Sequence, residues 1–336
     1  MKRKLLCALM LLTLSLTGCA AREEPAPVRE KVSGVGYYFD TVVTLTLYDA
    51  PEGMLETLWQ ECGRYERLLS RTVAGSDVDR INHADGQTVQ VDPETWAILQ
   101  RAADISRLTD GAFSVTIAPL STLWDFTGEV PRMPDDAQRL AALPLVDDSR
   151  LQLGEDNTVT LPAGMSIDLG GIAKGYIADR MAEMVRGKVS GATLNFGGNV
   201  YALGNAPGAE GFNIGIAHPQ SPNSAIAALR VKDRSVVTSG TYQRCFEKDG
   251  RLYHHILDPS TGLPAETGLV SASIVAESSM TADALATACI VLGEEGALAL
   301  LGQLGYDGLL IREDMTIVTT PGLKDRYPLQ TAGQAT

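Results

Sequence analysis

Between Ala192 and Ala276 the chain gives one strand signal after another: Ala192 to Phe196, Asn213 to Ala217, Ala227 to Lys232, Ser235 to Thr238, Leu252 to Leu257 and Leu269 to Ala276, with no helical period between them. A doubly wound sheet needs helices alternating with its strands, so this order excludes that architecture and leaves an α+β chain. Helices are expected on either side of the block. Leu55 to Leu69 carries apolar residues at helical spacing. Asp92-Pro93 reads as an N-cap followed by proline at the first helical position, and the helix stops before Asp110-Gly111. Another helix runs from about Gly175 to Arg186, and Met280 to Leu292 forms one closed by Gly293, with a further helix from Glu294 to Leu304. Gly34 to Tyr48 alternates like a strand or hairpin, Thr158 to Leu161 is a short strand, and Pro131 to Pro144 is a short amphipathic insertion. Strands at Gly308 to Ile311 and Thr316 to Thr319 finish the fold, and no internal repeat is found.

The N-terminus has a separate logic. Lys2, Arg3 and Lys4 precede the apolar run Leu5 to Leu16, which falls short of the roughly 20 residues needed to span a bilayer but has the length of a signal-peptide core. It ends in Leu16-Thr17-Gly18-Cys19, which resembles a bacterial lipobox and predicts removal of residues 1–18 and lipidation of Cys19. Residues 19–32, rich in Glu, Ala and Pro, then serve as a flexible tether, placing the protein at the extracytoplasmic face of the cell membrane. The full chain has 28 Lys and Arg against 41 Asp and Glu; without the three cations of the leader the balance is 25 − 41 = −16. So acidic a surface excludes nucleic acid as a partner and direct docking on anionic lipid, leaving small anions to a local positive site. Besides Cys7 and Cys19, Cys62, Cys245 and Cys289 show neither a pairing ladder nor C-x-x-C spacing.

There is no G-x-x-x-x-G-K-[ST] loop, no G-x-G-x-x-G after a strand and no H-E-x-x-H. Gly164-Met165-Ser166 begins like a nucleophile elbow but lacks its closing glycine. Three other stretches carry chemistry. Met165 to Tyr176 reads as a short strand ending in Asp168, a turn on Gly170-Gly171, and a helix entered through Lys174, the build of an anion site; the plainer alternative is that Asp168 caps the helix. Asp283 and Thr287 lie four apart on one helix face, and two hard oxygens without nearby His or Cys suit Mg²⁺ rather than zinc; the alternative is an Asp favouring the helix dipole and a Thr bonding back to the preceding turn. His254 and His255 are adjacent in a strand and point to opposite faces, so one can face a cleft as a base near neutral pH, or both can be satisfied edge residues.

In this order, Asp168 to Tyr176, Asn195 to Asn199, His255 to Gly262 and Ala282 to Thr287 resemble the ApbE family of FAD:protein FMN transferases, and Gly111-Ala112-Phe113 and Thr238 to Tyr242 fit the same pattern. The resemblance spans roughly Gly34 to Thr319. It implies a two-lobed mixed fold, a catalytic domain over residues 33–325 with a tail at 326–336, and an FAD and metal site in the cleft between the lobes. The implied reaction splits FAD, transfers FMN to a threonine of a partner flavoprotein at a Ser-Gly-Ala-Thr-like motif, and releases AMP. Carried over by position, Asp283, Thr287 and the carbonyl of Gly171 would hold Mg²⁺ or a similar hard cation such as Mn²⁺. Asp168, Lys174, Ala112, Phe113, Ser114 and the backbone near Leu257 would contact FAD. Phe39 and Thr72 would do so where relatives often have methionine and tyrosine, which alters ring stacking. His255 is the base expected for the threonine hydroxyl, with Asp258 as its orienter or as a turn residue. Two other readings use the same site: an FAD pyrophosphatase with water as nucleophile, and a flavin-binding lipoprotein without activity. The chain's own Ser190-Gly191-Ala192-Thr193 matches the acceptor motif by coincidence, since it enters a strand.

Overall fold

The computed structural model describes residues 29–126 and 132–331. The leader, Cys19 and most of the expected tether lie outside the described residues. The end of that tether belongs to the fold instead, because Lys31 and Val32 open strand β1 (Lys31–Tyr38), which turns at Phe39-Asp40 into β2 (Thr41–Tyr48). Glu30 and Asp49 bond to each other across the open end and lengthen the hairpin by a further rung. Helix α1 (Met54–Leu69) packs on β1, where Gly34 and Gly36 leave room for the Trp59 ring; a Cβ on either would lie 3.0 Å from that ring.

Two short elements, α2 (Asp77–Asn82) and β3 (Thr88–Gln90), precede α3 (Pro93–Leu108). Asp92 caps α3 as its sequence predicts, its side chain accepting from Glu94 N at 2.8 Å. After α4 (Ala118–Trp124), the expected insertion contains α5 (Asp136–Ala142) with a capping box at Asp135 and Gln138. Strands β4 (Gln152–Leu153) and β5 (Thr158–Thr160) join β3 in a small sheet. Helix α6 (Ala173–Val185) follows, then β6 (Gly191–Phe196), β7 (Asn199–Gly204), β8 (Phe212–His218), β9 (Ser221–Val231) and β10 (Arg234–Gly240). The hairpin β11 (Cys245–Lys248) and β12 (Arg251–His254) leads to β13 (Leu269–Ala276), α7 (Ser279–Leu304), β14 (Asp307–Arg312), β15 (Ile317–Thr319), α8 (Leu323–Arg326) and β16 (Leu329–Thr331).

The central sheet has eight strands in the order β1-β2-β6-β7-β10-β13-β14-β15, and every neighbouring pair is antiparallel. Helices α6 and α7 cover one face, burying Leu194, Val237, Ile274, Leu285 and Ile290 completely. Each such Leu or Ile contributes roughly 1.5–3 kcal/mol relative to exposure. On the other face Val236, Val275, Leu309 and Ile311 meet Ile214, Ile216, Leu229 and Val231 of the three-stranded sheet β16-β9-β8. By length and composition α7 could cross a bilayer, but it is the core helix of this domain. Gly293, expected to end the first of two helices there, breaks the helical run with φ 71° and ψ −180°.

Three expectations need correction. Met165 to Leu169 is not a strand. Met165, Ile167 and Leu169 alternate into the core as a strand would, but the peptide groups of Ile167 bond to the Asn82 side chain (2.7 and 2.9 Å), and Asp168 N bonds to Val115 O (2.8 Å). Strand β7 was not foreseen, because Gly197 and Gly198, at φ 64° and 103°, turn the chain straight back rather than ending the sheet. The tail does not begin at 326: Arg326 pairs with Asp307, and β16 adds to β9, where Leu329 finds an apolar neighbour. Thr193 lies in β6 between β2 and β7, paired on both sides, so Ser190 to Thr193 is part of the sheet rather than a free acceptor segment.

Candidate active site

A cavity of about 880 Å³ opens where the N-terminal turn of α6, the N-terminal third of α7, β10, the β1–β2 turn and the loop after β12 converge. Of the expected site residues, Phe39, Thr72, Ala112, Phe113, Ser114, Asp168, Gly171, Lys174, His255, Leu257, Asp283 and Thr287 all line it. Segments around 170 and 285, more than a hundred residues apart in the chain, therefore share one hollow.

The corner between α6 and α7 is the most tightly built part. Asp283 is 2% exposed; its Oδ2 accepts from Gly175 N at 3.0 Å and stands 3.8 Å from Lys174 Nζ. Its Oδ1 has no hydrogen-bond partner among the described residues. Lys174 Nζ donates to Gly170 O at 2.6 Å. One turn on from Asp283, Thr287 Oγ1 lies 3.4 Å from Asp283 O and 3.4 Å from Ser239 Oγ. A Cβ at Gly171 would be 3.6 Å from Thr287 Oγ1 and 3.1 Å from the Phe113 ring, so the glycine lets the loop lie close to both without displacing the ring. Among the described residues no three His, Cys, Asp or Glu side chains converge. A cation held here would have one carboxylate and neutral oxygens, a donor set that fits Mg²⁺ completed by water and phosphate and does not fit zinc.

Asp168 holds the glycine turn, accepting from Gly170 N at 2.8 Å, and its Oδ2 lies 3.4 Å from Arg71 Nε. Arg71 and Arg244 also line the cavity and, with Lys174, balance the three lining carboxylates Asp40, Asp168 and Asp283, so the lining is neutral in a chain of net charge −13. Neither arginine was singled out in the sequence, where each is one cation among 28. Arg244 Nη2 donates to Asp40 O at 3.1 Å, tying the β11 side of the mouth to the β1–β2 turn. Phe39 sits in that turn at φ 57°, a left-handed conformation unusual for an aromatic residue, held by a bond from its N to Glu66 Oε1 at 2.9 Å.

Two aspartates, Asp148 buried and Asp179 half-buried, support the site without lining it, and nothing local in the sequence marks them. Asp148 accepts from Ser114 Oγ, Val115 N, Thr116 N and Thr116 Oγ1 and so fixes the Ala112 to Ser114 wall. Asp179, on α6, accepts from Ser278 Oγ and from the N–H groups of Ser279 and Met280, fastening the start of α7 to α6. Burial pushes its carboxyl up to about 6 against the pull of those three donors.

His254 points away into the core, bonding Ala265 O through Nε2 at 3.1 Å, while His255 faces the cavity, as opposite faces of a strand end require. His255 Nδ1 is buried and has no partner. Burial, reinforced by the charges of Arg244, His254 and Lys174, pushes the His255 ring down to about 3, so it is neutral throughout the neutral range rather than titrating within it. Asp258 does not orient it. Asp258 Oδ1 is used by Ser260 N (2.8 Å) and Ser260 Oγ (2.7 Å), and its backbone closes the turn to Gly262 and Leu263, because Pro259 and Gly262 need a side-chain acceptor to shape that turn.

The lowered His255 pKa has a measurable consequence for stability. An unfolded histidine takes up its proton near pH 6.5, whereas the folded ring resists until about 3, so its contribution is fully present above 6.5 and is lost as pH falls. The loss is roughly 1.4 kcal/mol per pH unit below 6.5; His254 is shifted the same way by burial. Urea unfolding between pH 7 and 5 is expected to show a shallower acid loss in His255→Gln than in the unsubstituted protein. Equal slopes would show that His255 is solvated.

Comparison with known proteins places this geometry among relatives. A model of the ApbE family matches residues 39–310. An FAD:protein FMN transferase of Klebsiella pneumoniae (strain 342) is 36% identical over 299 residues, covering 87% of this chain and 93% of the relative. One from Treponema pallidum (strain Nichols) is 37% identical over 291 residues, covering 81% and 80%. Among solved structures, the ApbE protein of Thermotoga maritima superposes with a TM-score of 0.82 at 32% identity, over 88% of this chain and 99% of that one. The Pseudomonas stutzeri flavinyl transferase ApbE gives 0.79 at 26% identity, over 89% and 97%.

Proposed function

The chain belongs to the ApbE family, and we propose on that basis that it is an FAD:protein FMN transferase whose FAD lies in this cavity, its diphosphate at the corner between α6 and α7. The observation that carries the reading is the convergence of Lys174, Asp283 and Thr287 beside the Gly170-Gly171 turn. The amides at the start of α6 and the Lys174 ammonium favour an anion there, and Arg71 adds a second positive group on the Asp168 side. Ala112, Phe113, Leu257 and Phe39 supply apolar walls for rings.

Mg²⁺ held by Asp283, Thr287 and the Gly171 loop would supply charge neutralisation at the phosphorus under attack. The rest of the step belongs to the chain's side chains. The acceptor threonine Oγ forms a bond to the FMN phosphorus of FAD while the bond from that phosphorus to the bridging oxygen breaks. The bridging oxygen leaves with AMP, and the threonine proton passes to His255, whose ring is unprotonated and faces the cavity. Lys174 faces the non-bridging oxygens, where charge gathers as the displacement proceeds.

The test is incubation of the protein with FAD and Mg²⁺, with and without an acceptor domain carrying a Ser-Gly-Ala-Thr segment. Covalent FMN on the acceptor threonine together with AMP is the expected result. Free FMN at the same rate whether or not acceptor is present would mean that water is the nucleophile, and unchanged FAD would mean that the cavity only binds flavin.

A further inference from the structure

We propose that Asn199 is a further catalytic residue of this transfer: its side-chain amide donates from Nδ2 to a non-bridging oxygen of the FAD diphosphate, and the bond tightens as negative charge accumulates there. The proposal rests on the cavity being the FAD site.

Asn199 is 2% exposed yet lines the cavity, and its Nδ2 is buried without any hydrogen-bond partner. Buried amide groups are nearly always bonded, so an orphan on a cavity wall points to a partner that arrives with the ligand. Asn195, at the other end of the same short segment, shows the contrast: its Oδ1 accepts from Gly198 N at 3.0 Å and shapes the glycine turn. The turn therefore has its asparagine already, and Asn199 is not needed for it.

Sheet register places the orphan amide. Asn199 pairs with Val237, and opposite residues of an antiparallel pair share a face. Two residues farther along β10, about 7 Å, Ser239 reaches Thr287 Oγ1 from that same face. Tyr201, two residues along β7, also shares the face and bonds Arg186 at the far end of α6. Asn199 thus projects toward the α6 and α7 side of the sheet, on the wall of the cavity that Lys174 and Asp283 also line. A neutral donor suits that place, because a second fixed cation would compete with the metal, whereas an amide dipole already in position needs no reorganisation as charge develops.

Removal of the amide should separate stability from catalysis. Asn199→Leu keeps the branching and the number of side-chain heavy atoms and deletes a donor that has no partner in the free protein, so its Tm is expected to equal or exceed that of the unsubstituted protein. The kcat for FMN transfer is expected to fall on the order of 100-fold, as when an oxyanion donor is removed, while Kd for FAD, read from quenching of flavin fluorescence, changes less than about threefold, because the bond counts mainly in the transition state. Asn199→Asp, nearly isosteric, directs a negative charge at the diphosphate and is expected to weaken FAD binding as well as kcat. Retained kcat in Asn199→Leu overturns the proposal, as does a clear fall in its Tm, which would assign Asn199 to the fold. Full activity in Asn199→Asp also overturns it, since an oxygen contacting the cation would then be the useful atom. Absence of transfer by the unsubstituted protein is a different failure, that of the transferase reading itself.

Discussion

Gly175→Ala is expected to lower stability by about 3 kcal/mol or more and to reduce FMN transfer on the order of 100-fold or beyond. A Cβ at residue 175 would lie 2.3 Å from Ser279 O, 2.6 Å from Ser279 C and 2.7 Å from Met280 Cα, all of them backbone atoms. No rotamer can relieve such a clash, so α6 and α7 must move apart. In an isolated helix the same change would stabilise by roughly 1 kcal/mol, so the sign itself reports the helix contact. Separation also stretches the Gly175 N to Asp283 Oδ2 bond and draws Lys174 away from Asp283, opening the corner that receives the diphosphate. Thermal melts and transfer rates at a temperature where the variant is folded check both effects. A variant with unchanged Tm and rate would mean that the two helices do not touch in solution.

The second large effect is expected at Asp283, where charge and hydrogen bonding can be taken apart. Asp283→Asn keeps an oxygen to accept from Gly175 N, so stability should stay within about 1 kcal/mol of the unsubstituted protein. Among the described residues it loses the only carboxylate placed beside Lys174 and Thr287, and transfer should fall on the order of 10²- to 10³-fold, with saturation by Mg²⁺, the proposed cation, moved to higher concentration. Asp283→Ala should show the same catalytic loss plus about 1–3 kcal/mol of destabilisation from the orphaned Gly175 N–H. An Asp283→Asn protein with the original rate and Mg²⁺ response would remove Asp283 from the metal site.

The site was legible in parts because each part is a local statement. Two glycines before a helix with a lysine in its first turn, an aspartate and threonine one turn apart, and two histidines at a strand end are patterns over a few neighbouring residues. All three do meet in one cavity. The misreading of one segment has the same origin. Met165 to Leu169 has a strand's alternation, but alternation reports which side chains are buried and not what the peptide groups bond to, and Asn82 takes them here. Of the two roles open to Asp258 in the sequence, orienter of His255 or turn residue, it takes the second, because Ser260 offers its Oδ1 two donors.

By itself the sequence determined the α+β class, the cap at Asp92, the break at Gly293, the hairpin between Gly34 and Tyr48 and the chemical kinds of group available to a phosphate, since periodicity, capping and turn chemistry are written in adjacent residues. Only the tertiary structure decided that Arg71 and Arg244 face the cavity, that Asp179 and Asp148 brace it from behind, and that Asn199 is left without a partner. Those outcomes depend on strand register and on the approach of two helix backbones at Gly175. Both are set by how the whole core packs, and a one-residue shift in either would turn the same side chains to another face.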